Sequence, residues 1–381
     1  MKCKNANNIQ LRQQNQPLLA MVPAFFNTFA RNTTSMILVT GGTGLLGSHL
    51  LVDLVQMDKP VRAIYRNSTK KEMVRKVFSY YSNNPDELFS KIEWAEADLL
   101  DNGALEKTLE DVSEIYHSGA IVSFYPKDHQ QMLKVNIGGT ANLVNLALER
   151  GVAKFCYVSS VATLGRAENE GMCNEDTFWV PSKKNSVYSQ SKYGAEQEVW
   201  RGMAEGLNAV IVNPSVILGP GFWDDNSGLF RLVYKGLKYY TRGVNGYVDA
   251  RDVARAMIGV MQNNAFGERF IVSADNLSYQ KLFTLMATYL DKAPPSVNVS
   301  PAMTQIAWRV EAVRSFLTRS KPEVTREMAT TTAQVYTYTN AKIREWLGMD
   351  FITPEQSIRE ICRFFLNDIN HESGSGSGNS G

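Results

Sequence analysis

The chain has 381 residues, 44% of them hydrophobic and 20% charged, with a formal net charge of +2. That length supports one large domain or two small ones with ample core, and the balanced charge offers no basic surface for nucleic acid. Four cysteines (Cys3, Cys156, Cys173, Cys362) and four histidines show no CxxC or HExxH spacing, so no metal and no disulfide framework is expected and a reducing cytoplasm suits the thiols.

Residues 1–35 hold Lys2, Lys4, Arg12 and Arg31, no Asp or Glu, and the apolar piece LLAMVPAFF. We read them as a disordered or non-native extension ahead of a first strand at Met36, with a weak export or organelle signal as the alternative. MILVTGG is a β-branched run ending in glycines, and LLGSHLLVDLVQMD follows with helical spacing. VRAIYR, IEWAEADLL and VSEIYHSGA give strands two to four. VNIGGTANLVNLALERG is a helix closed by Gly151, and KFCYVSSVATLG is strand five running into a loop. YSQSKYGAEQEVWRGMAEG is a helix closed by Gly206, and NAVIVNPSVILGPG is strand six. Strands alternating with helices predict an α/β fold, a doubly wound parallel sheet of the Rossmann type. Beyond residue 214 the rhythm breaks into a smaller, mostly helical C-terminal portion. The domain reading is a dinucleotide-binding core over 36–213, rejoined by 244–273, and a substrate-binding portion over 214–243 and 274–366. A flexible tail covers 367–381 and includes the low-complexity ESGSGSGNSG. No run reaches about 18 apolar residues, so no membrane span is expected. GLFRLVYKGLKYYTRG interleaves apolar and basic residues; it reads as an amphipathic helix or lid, with a membrane-surface helix as the alternative.

Two stretches carry chemistry. VTGGTGLLGSHL places Gly41, Gly44 and Gly47 between a strand and a helix, the context of a phosphate-binding turn. Gly41 permits the turn, Gly44 lets backbone approach a pyrophosphate, and Gly47 lets helix meet strand. The free N–H groups of the helix start then face the phosphates. In YSQSK, Tyr188 and Lys192 lie four apart and share a helix face. A neighbouring ammonium is expected to lower the pKa of a phenol, whose ordinary value is about 10.

The glycine loop, the YVSS strand end and YSQSK together resemble the short-chain dehydrogenase/reductase superfamily in its extended branch, over most of residues 36–365. ADLLD, HSGA, VNIGGTANL, YVDARDVARA and YTNAKIREWLGMDF are similar to further family elements, with Gly119 replacing an alanine usual in the family. The resemblance implies Tyr188 as acid/base and Lys192 as the holder of the nicotinamide ribose. It also implies a strand-end serine on the substrate oxygen. Ser159 and Ser160 are the candidates, and counting back from Gly165 selects Ser160, with Thr163 a neighbour that could reach the pocket. Asn136 is implied as a supporting member that holds a helix or a water near Lys192. For the cofactor, the resemblance implies Gly41, Gly44, Leu45, Leu46, Gly47, Asp98, Leu99, Ser118, Gly119, Ala120, Pro214 and Val216, beside Tyr188 and Lys192. At the end of strand two, where an acid would select NAD, Tyr65 and Arg66 stand instead, with Lys70 and Lys71 just beyond. That cationic turn favours NADP, with NAD possible.

Among extended members, NPSVILGPG and the C-terminal pattern are similar to dihydroflavonol reductase, cinnamoyl-CoA reductase and 3β-hydroxysteroid dehydrogenase types. SSVATLG lacks the Thr-Asp-Glu of dehydratases. Phe124, Tyr125, Phe178, Trp179, Phe222 and Trp223 are expected to wall the pocket. The function expected is hydride transfer between nicotinamide and the carbonyl or alcohol of a small apolar or aromatic substrate. A nucleotide-sugar epimerase with bound NAD is the alternative, and a non-catalytic dinucleotide-binding scaffold the second. By analogy with the family, a cytoplasmic homodimer through the helices near Asn136 and Tyr188 is expected.

Overall fold

The computed structural model describes residues 35–165, 171–182, 185–223, 228–318 and 325–375. The reading of residues 1–34 as an extension, and of 376–381 as part of a tail, lies outside the described residues.

Strands β1 (Met36–Thr40), β2 (Val61–Tyr65), β3 (Ile92–Glu96), β4 (Val112–His117), β5 (Lys154–Val158) and β6 (Ala209–Pro214) alternate with helices. These helices are α1 (Leu45–Gln56), α2 (Lys71–Tyr81), α3 (Pro85–Ser90), α4 (Asn102–Thr108), α5 (His129–Leu133), α6 (Gly139–Glu149) and α7 (Val187–Ala204). The remaining strands are β7 (Val216–Leu218), β8 (Tyr239–Tyr240), β9 (Val244–Asp249), β10 (Arg269–Val272), β11 (Asp275–Ser278) and β12 (Val297–Asn298). The remaining helices are α8 (Gly228–Tyr234), α9 (Ala250–Gln262), α10 (Tyr279–Tyr289), α11 (Pro301–Thr318), α12 (Arg326–Thr331), α13 (Ala341–Leu347) and α14 (Pro354–Ser375).

Seven strands form one sheet in the order β10-β6-β5-β4-β1-β2-β3, every neighbouring pair parallel. Its order reverses between β1 and β4, so the crevice above those strands' carboxyl ends is open to a ligand. Both faces are covered, as a parallel sheet requires. The alternation is visible in β1: Ile37 and Val39 enter the core that contains residues of α1, α2 and α9, whereas Leu38 enters the core shared with α6 and α7. A third core, built on α8, α10 and α14, belongs to the C-terminal portion.

Four readings need correction. Strand six is two strands. β6 ends at Pro214, and β7 leaves the main sheet to pair with β9 in a three-stranded sheet; proline has no N–H for a ladder, which favours a break there. Only the first half of GLFRLVYKGLKYYTRG is helical. Phe230 and Val233 of α8 are both 1% exposed inside the third core, so its apolar face turns inward rather than toward a membrane. Helix α14 continues to Ser375, past the expected start of a tail at 367. Asp368 explains that extension, because its carboxylate accepts the Trp223 indole N–H at 2.8 Å and the Tyr80 hydroxyl at 2.5 Å. Finally, Phe222 and Trp223, expected in the pocket wall, are 7% and 6% exposed and belong to the first and third cores. Among the described residues, no helix is long and apolar enough to cross a membrane.

Candidate active site

Three chain segments meet above the carboxyl ends of β1, β4, β5 and β6. The first is the glycine turn. Gly41 takes φ +71°, a left-handed conformation that costs glycine nothing. Its carbonyl accepts the Gly44 N–H at 2.9 Å, and a β-carbon on Gly47 would lie 2.2 Å from that same oxygen. Gly47 is therefore required for α1 to start this close to β1. Leu45 and Leu46 open the helix, and Gly44 at its N-cap offers no side chain to the first-turn N–H groups. Donors left in this way at a glycine cradle fit a diphosphate.

The second segment follows β4. Ser118 donates its hydroxyl to the Thr40 carbonyl at 2.7 Å, and the Gly119 N–H donates to the Thr40 hydroxyl at 3.1 Å. A β-carbon on Gly41 would lie 2.6 Å from the Gly119 nitrogen. Ser118, Gly119 and Ala120 thus form one lip against the glycine turn. His117 below them is fully buried, between the Thr40 hydroxyl at 2.6 Å and the Thr140 hydroxyl at 3.0 Å. Burial, with a smaller contribution from the Lys192 charge, pushes its pKa down to about 3. The ring is therefore neutral and acts as a hydrogen-bond link.

Asn136 sits in a π-helical turn over Lys134–Gly138, between α5 and α6. Such turns displace one residue from helical register and recur at functional sites. Its amide clasps the Ile121 backbone, accepting the N–H at 2.7 Å and donating to the carbonyl at 2.9 Å. It also donates to the Ser191 hydroxyl at 3.0 Å, which in turn donates to the Tyr188 carbonyl. Asn136 thus joins the segment after β4 to the helix that carries Tyr188 and Lys192, rather than bonding to either side chain.

The third segment is α7, capped by Ser186, whose hydroxyl accepts the Ser189 N–H. Tyr188 occupies its first turn, half-buried, with Ser160 close enough to act on its phenol. Ser160 faces the phenol and accepts the Ala162 N–H at 3.1 Å, whereas Ser159 turns the other way and donates to Glu196 at 2.5 Å. Of the two serines, Ser160 is the one beside the phenol. Thr163 does not reach the pocket: it is fully buried and donates to Glu196 at 2.7 Å. Lys192, 4% exposed, donates to the Val158 carbonyl at 2.6 Å, and its ammonium lies 4.5 Å from the centroid of the Tyr157 ring.

The electrostatics differ from the expectation. Loss of water holds the Tyr188 phenol above its ordinary value, and the neighbouring Ser160 hydroxyl brings it partly back. Lys192 does not dominate, because its ammonium is turned to Val158 and Tyr157. Burial pushes the lysine itself down to about 7, against the opposing pull of Glu196.

Beyond the carboxyl end of β2, Arg66 lies 3.5 Å from the Asp98 carboxylate, both side chains exposed. Asp98 accepts the Leu100 N–H at 2.8 Å. Leu99 is buried beside Gly119 and Gly139. Lys71 is held 4.4 Å over the Tyr65 ring, and Lys70 ends the short turn Ser68–Lys70, which Asn67 caps. Pro214 closes β6, and Val216 begins β7 beside it. Of the expected aromatic wall, Phe124 meets Tyr188 edge-on at 6.1 Å, Trp179 stacks on Tyr193 at 4.2 Å, and Phe178 is 82% exposed.

A model of the NAD dependent epimerase/dehydratase family matches residues 37–273. The chain belongs to the NAD-dependent epimerase/dehydratase family. Within this family, it is 29% identical to a putative dihydroflavonol 4-reductase from Synechocystis sp., covering 86% of this chain and 94% of that one. It is 23% identical to cinnamoyl-CoA reductase 1 from Petunia hybrida, covering 86% and 91%. The crystal structure of gox2253 superposes with a TM-score of 0.72 at 26% identity, over 88% of this chain and 98% of that one. As a member of this family, within the extended short-chain dehydrogenase/reductase branch, the chain is an NAD(P)-dependent oxidoreductase, a Rossmann enzyme with a small-molecule substrate.

Sequence reading missed Glu196 and Arg269. Glu196 is 1% exposed and lies one helical turn beyond Lys192, at the same four-residue interval that separates Lys192 from Tyr188. The interval was visible in the sequence, but the partners that bury the carboxylate were not.

Proposed function

We propose that this oxidoreductase reduces the carbonyl group of a small apolar or aromatic compound, with NADPH as the preferred cofactor. The observation that carries the reading is the half-buried Tyr188 facing the buried Ser160, where partial loss of water holds the phenol's proton at neutral pH. A protonated phenol beside a serine hydroxyl suits the delivery of a proton to a carbonyl oxygen as charge develops there. Bound nicotinamide dinucleotide supplies the hydride to the carbonyl carbon.

The chain's own groups do the rest. Tyr188 gives its proton to the oxygen, and Ser160 orients that oxygen by a second hydrogen bond. Lys192, which rests on Val158 and Tyr157 without cofactor, would hold the ribose hydroxyls and return a proton to Tyr188. Asn136 fixes the segment after β4 against α7. Gly41, Gly44, Leu45, Leu46 and Gly47 would hold the diphosphate, Asp98 and Leu99 the adenine, Ser118, Gly119 and Ala120 the middle of the dinucleotide, and Pro214 and Val216 the nicotinamide side. Arg66 is exposed, its pair with Asp98 lies at the surface where a 2′-phosphate could compete for it, and Lys70 is nearby, which supports NADP. The Phe124 ring against Tyr188 supports an apolar or flat substrate, as do the names of the two reductase relatives.

The test is oxidation of NADPH and of NADH across aldehydes, ketones and nucleotide sugars, with Tyr188→Phe as the control. Net NADPH oxidation with a carbonyl compound, reduced about 10²–10⁴-fold by Tyr188→Phe, is the expected result. Turnover of a nucleotide sugar without net cofactor consumption would replace this reading with epimerisation.

A further inference from the structure

We propose that Glu196 is a positioning residue of this site: its buried carboxylate turns the end of β5 so that Ser160 alone faces Tyr188, and it sets a fixed negative charge one helical turn from Lys192. The inference rests on the acid–base reading of Tyr188 and adds a residue to it.

Five donors converge on this carboxylate. One oxygen accepts from the Ser159 hydroxyl at 2.5 Å, the Thr163 hydroxyl at 2.7 Å and the Asn213 amide at 3.0 Å. The other accepts from the Arg269 guanidinium at 3.2 Å and the Trp200 indole at 3.3 Å. A buried charge is tolerated when it is paired and hydrogen-bonded, and here the donors come from the loop after β5, from β6, from β10 and from α7 itself. The geometric consequence falls on the serines. In an extended strand end, successive side chains point to opposite sides. Once Ser159 is held by Glu196, Ser160 must point to Tyr188. Asn213 adds a second hold, donating to the Ser160 carbonyl at 3.2 Å.

The charges around the pair come from every neighbouring element. Lys192 is faced by Tyr157 from β5, by neutral His117 from β4, and by Glu196 on its own helix. Arg269 from β10 faces Glu196, and its guanidinium is shared with the Glu175 carbonyl, at 2.8 Å from Nε. Burial drives Lys192 toward its neutral form, and Glu196 is the acid that opposes it. Removing that charge makes the first proton lost by the Lys192–Tyr188 pair easier to lose, whichever group gives it up.

Two measurements test this, the first without turnover. The ε-carbon resonance of Lys192 is titrated in ¹³C-lysine-labelled protein free of cofactor, assigned with Lys192→Arg. Glu196→Gln should titrate lower than wild type by on the order of one pH unit; coincident midpoints would overturn the charge role. The second is the pH profile of NADPH-dependent carbonyl reduction. Glu196→Gln should lower kcat about 10–100-fold with KM little changed and move the alkaline limb to lower pH. A wild-type kcat and limb would overturn the proposal. Ser159→Ala separates the two roles and replaces Glu196→Gln should that variant not fold. It should lower kcat with KM and limb unchanged, and a wild-type kcat contradicts the positioning role. Tyr188→Phe keeps the failures distinct. If it retains full turnover, the acid–base reading falls; if it is inactive while Glu196→Gln behaves as wild type, Glu196 alone is removed.

Discussion

Tyr188 joins two demands that oppose each other, burial and proton transfer. A phenol out of water holds its proton more tightly, and in this site the direction of the shift is upward. Such a group serves reduction, where it must arrive protonated, better than alcohol oxidation, where it must arrive ionised. Carbonyl reduction should therefore be faster at neutral pH than the reverse reaction, which should gain as pH rises; initial rates in both directions between pH 6 and 10 check this. Arg66 should govern cofactor choice. Arg66→Ala should lower kcat/KM for NADPH about 10–100-fold, the scale of a lost charge-assisted hydrogen bond, with NADH nearly unaffected. A third residue, Asp53 on α1, carries a carboxylate oxygen that is buried without a partner, and burial raises its pKa to about 6. The folded state thus binds this proton more tightly than the unfolded chain does, so the group's contribution to stability falls as pH rises from about 4 through 6. Asp53→Asn should stabilise by about 1–2 kcal/mol at pH 8, and the gain should shrink below pH 5, as read by denaturant titration.

At the scale of elements, the turn from β1 to α1 allows almost no substitution. Gly47→Ala would place a methyl group 2.2 Å from the Gly41 carbonyl. The helix start must then shift, and cofactor affinity should fall at least about tenfold with the fold retained, measurable by fluorescence titration with NADPH. This turn was legible in the sequence, because strand, glycines and helix are contiguous and their spacing has a steric reason. The same holds for β1 to β5, α6 and α7, whose β-branched runs and helical periods are local. The division of NPSVILGPG into β6 and β7 was not legible, since the partner of β7 is β9, about thirty residues onward. Phe222 and Trp223 were misplaced for a related reason. Their sequence neighbours indicate a loop, but Phe222 joins the first core and Trp223 packs on Phe365 and Asp368 of α14, far along the chain. Tyr188 and Lys192 could be found from their spacing. Glu196 shares that spacing, but its meaning depends on Arg269, 73 residues away, and no local pattern reports such a contact.

Across the whole molecule, the chain of buried contacts ties cofactor turn to catalytic helix. Thr40 meets His117, His117 meets Thr140, Thr140 donates to the Asn136 carbonyl, and Asn136 reaches Ser191 on α7. A ligand that bears on the first of these groups therefore acts on one cooperative unit rather than on a loop. NADPH at 100 times its Kd should stabilise the protein by about 2.7 kcal/mol, seen as a rise in Tm, and NADH at the same concentration should give a smaller rise. The central claim concerns where the hydride goes. With NADPH deuterated at the transferred position and a reducible carbonyl substrate, mass spectrometry of the released product measures that directly. The account predicts one deuterium at the former carbonyl carbon and one equivalent of oxidised cofactor per product. Product formed without deuterium and without cofactor oxidation would contradict it.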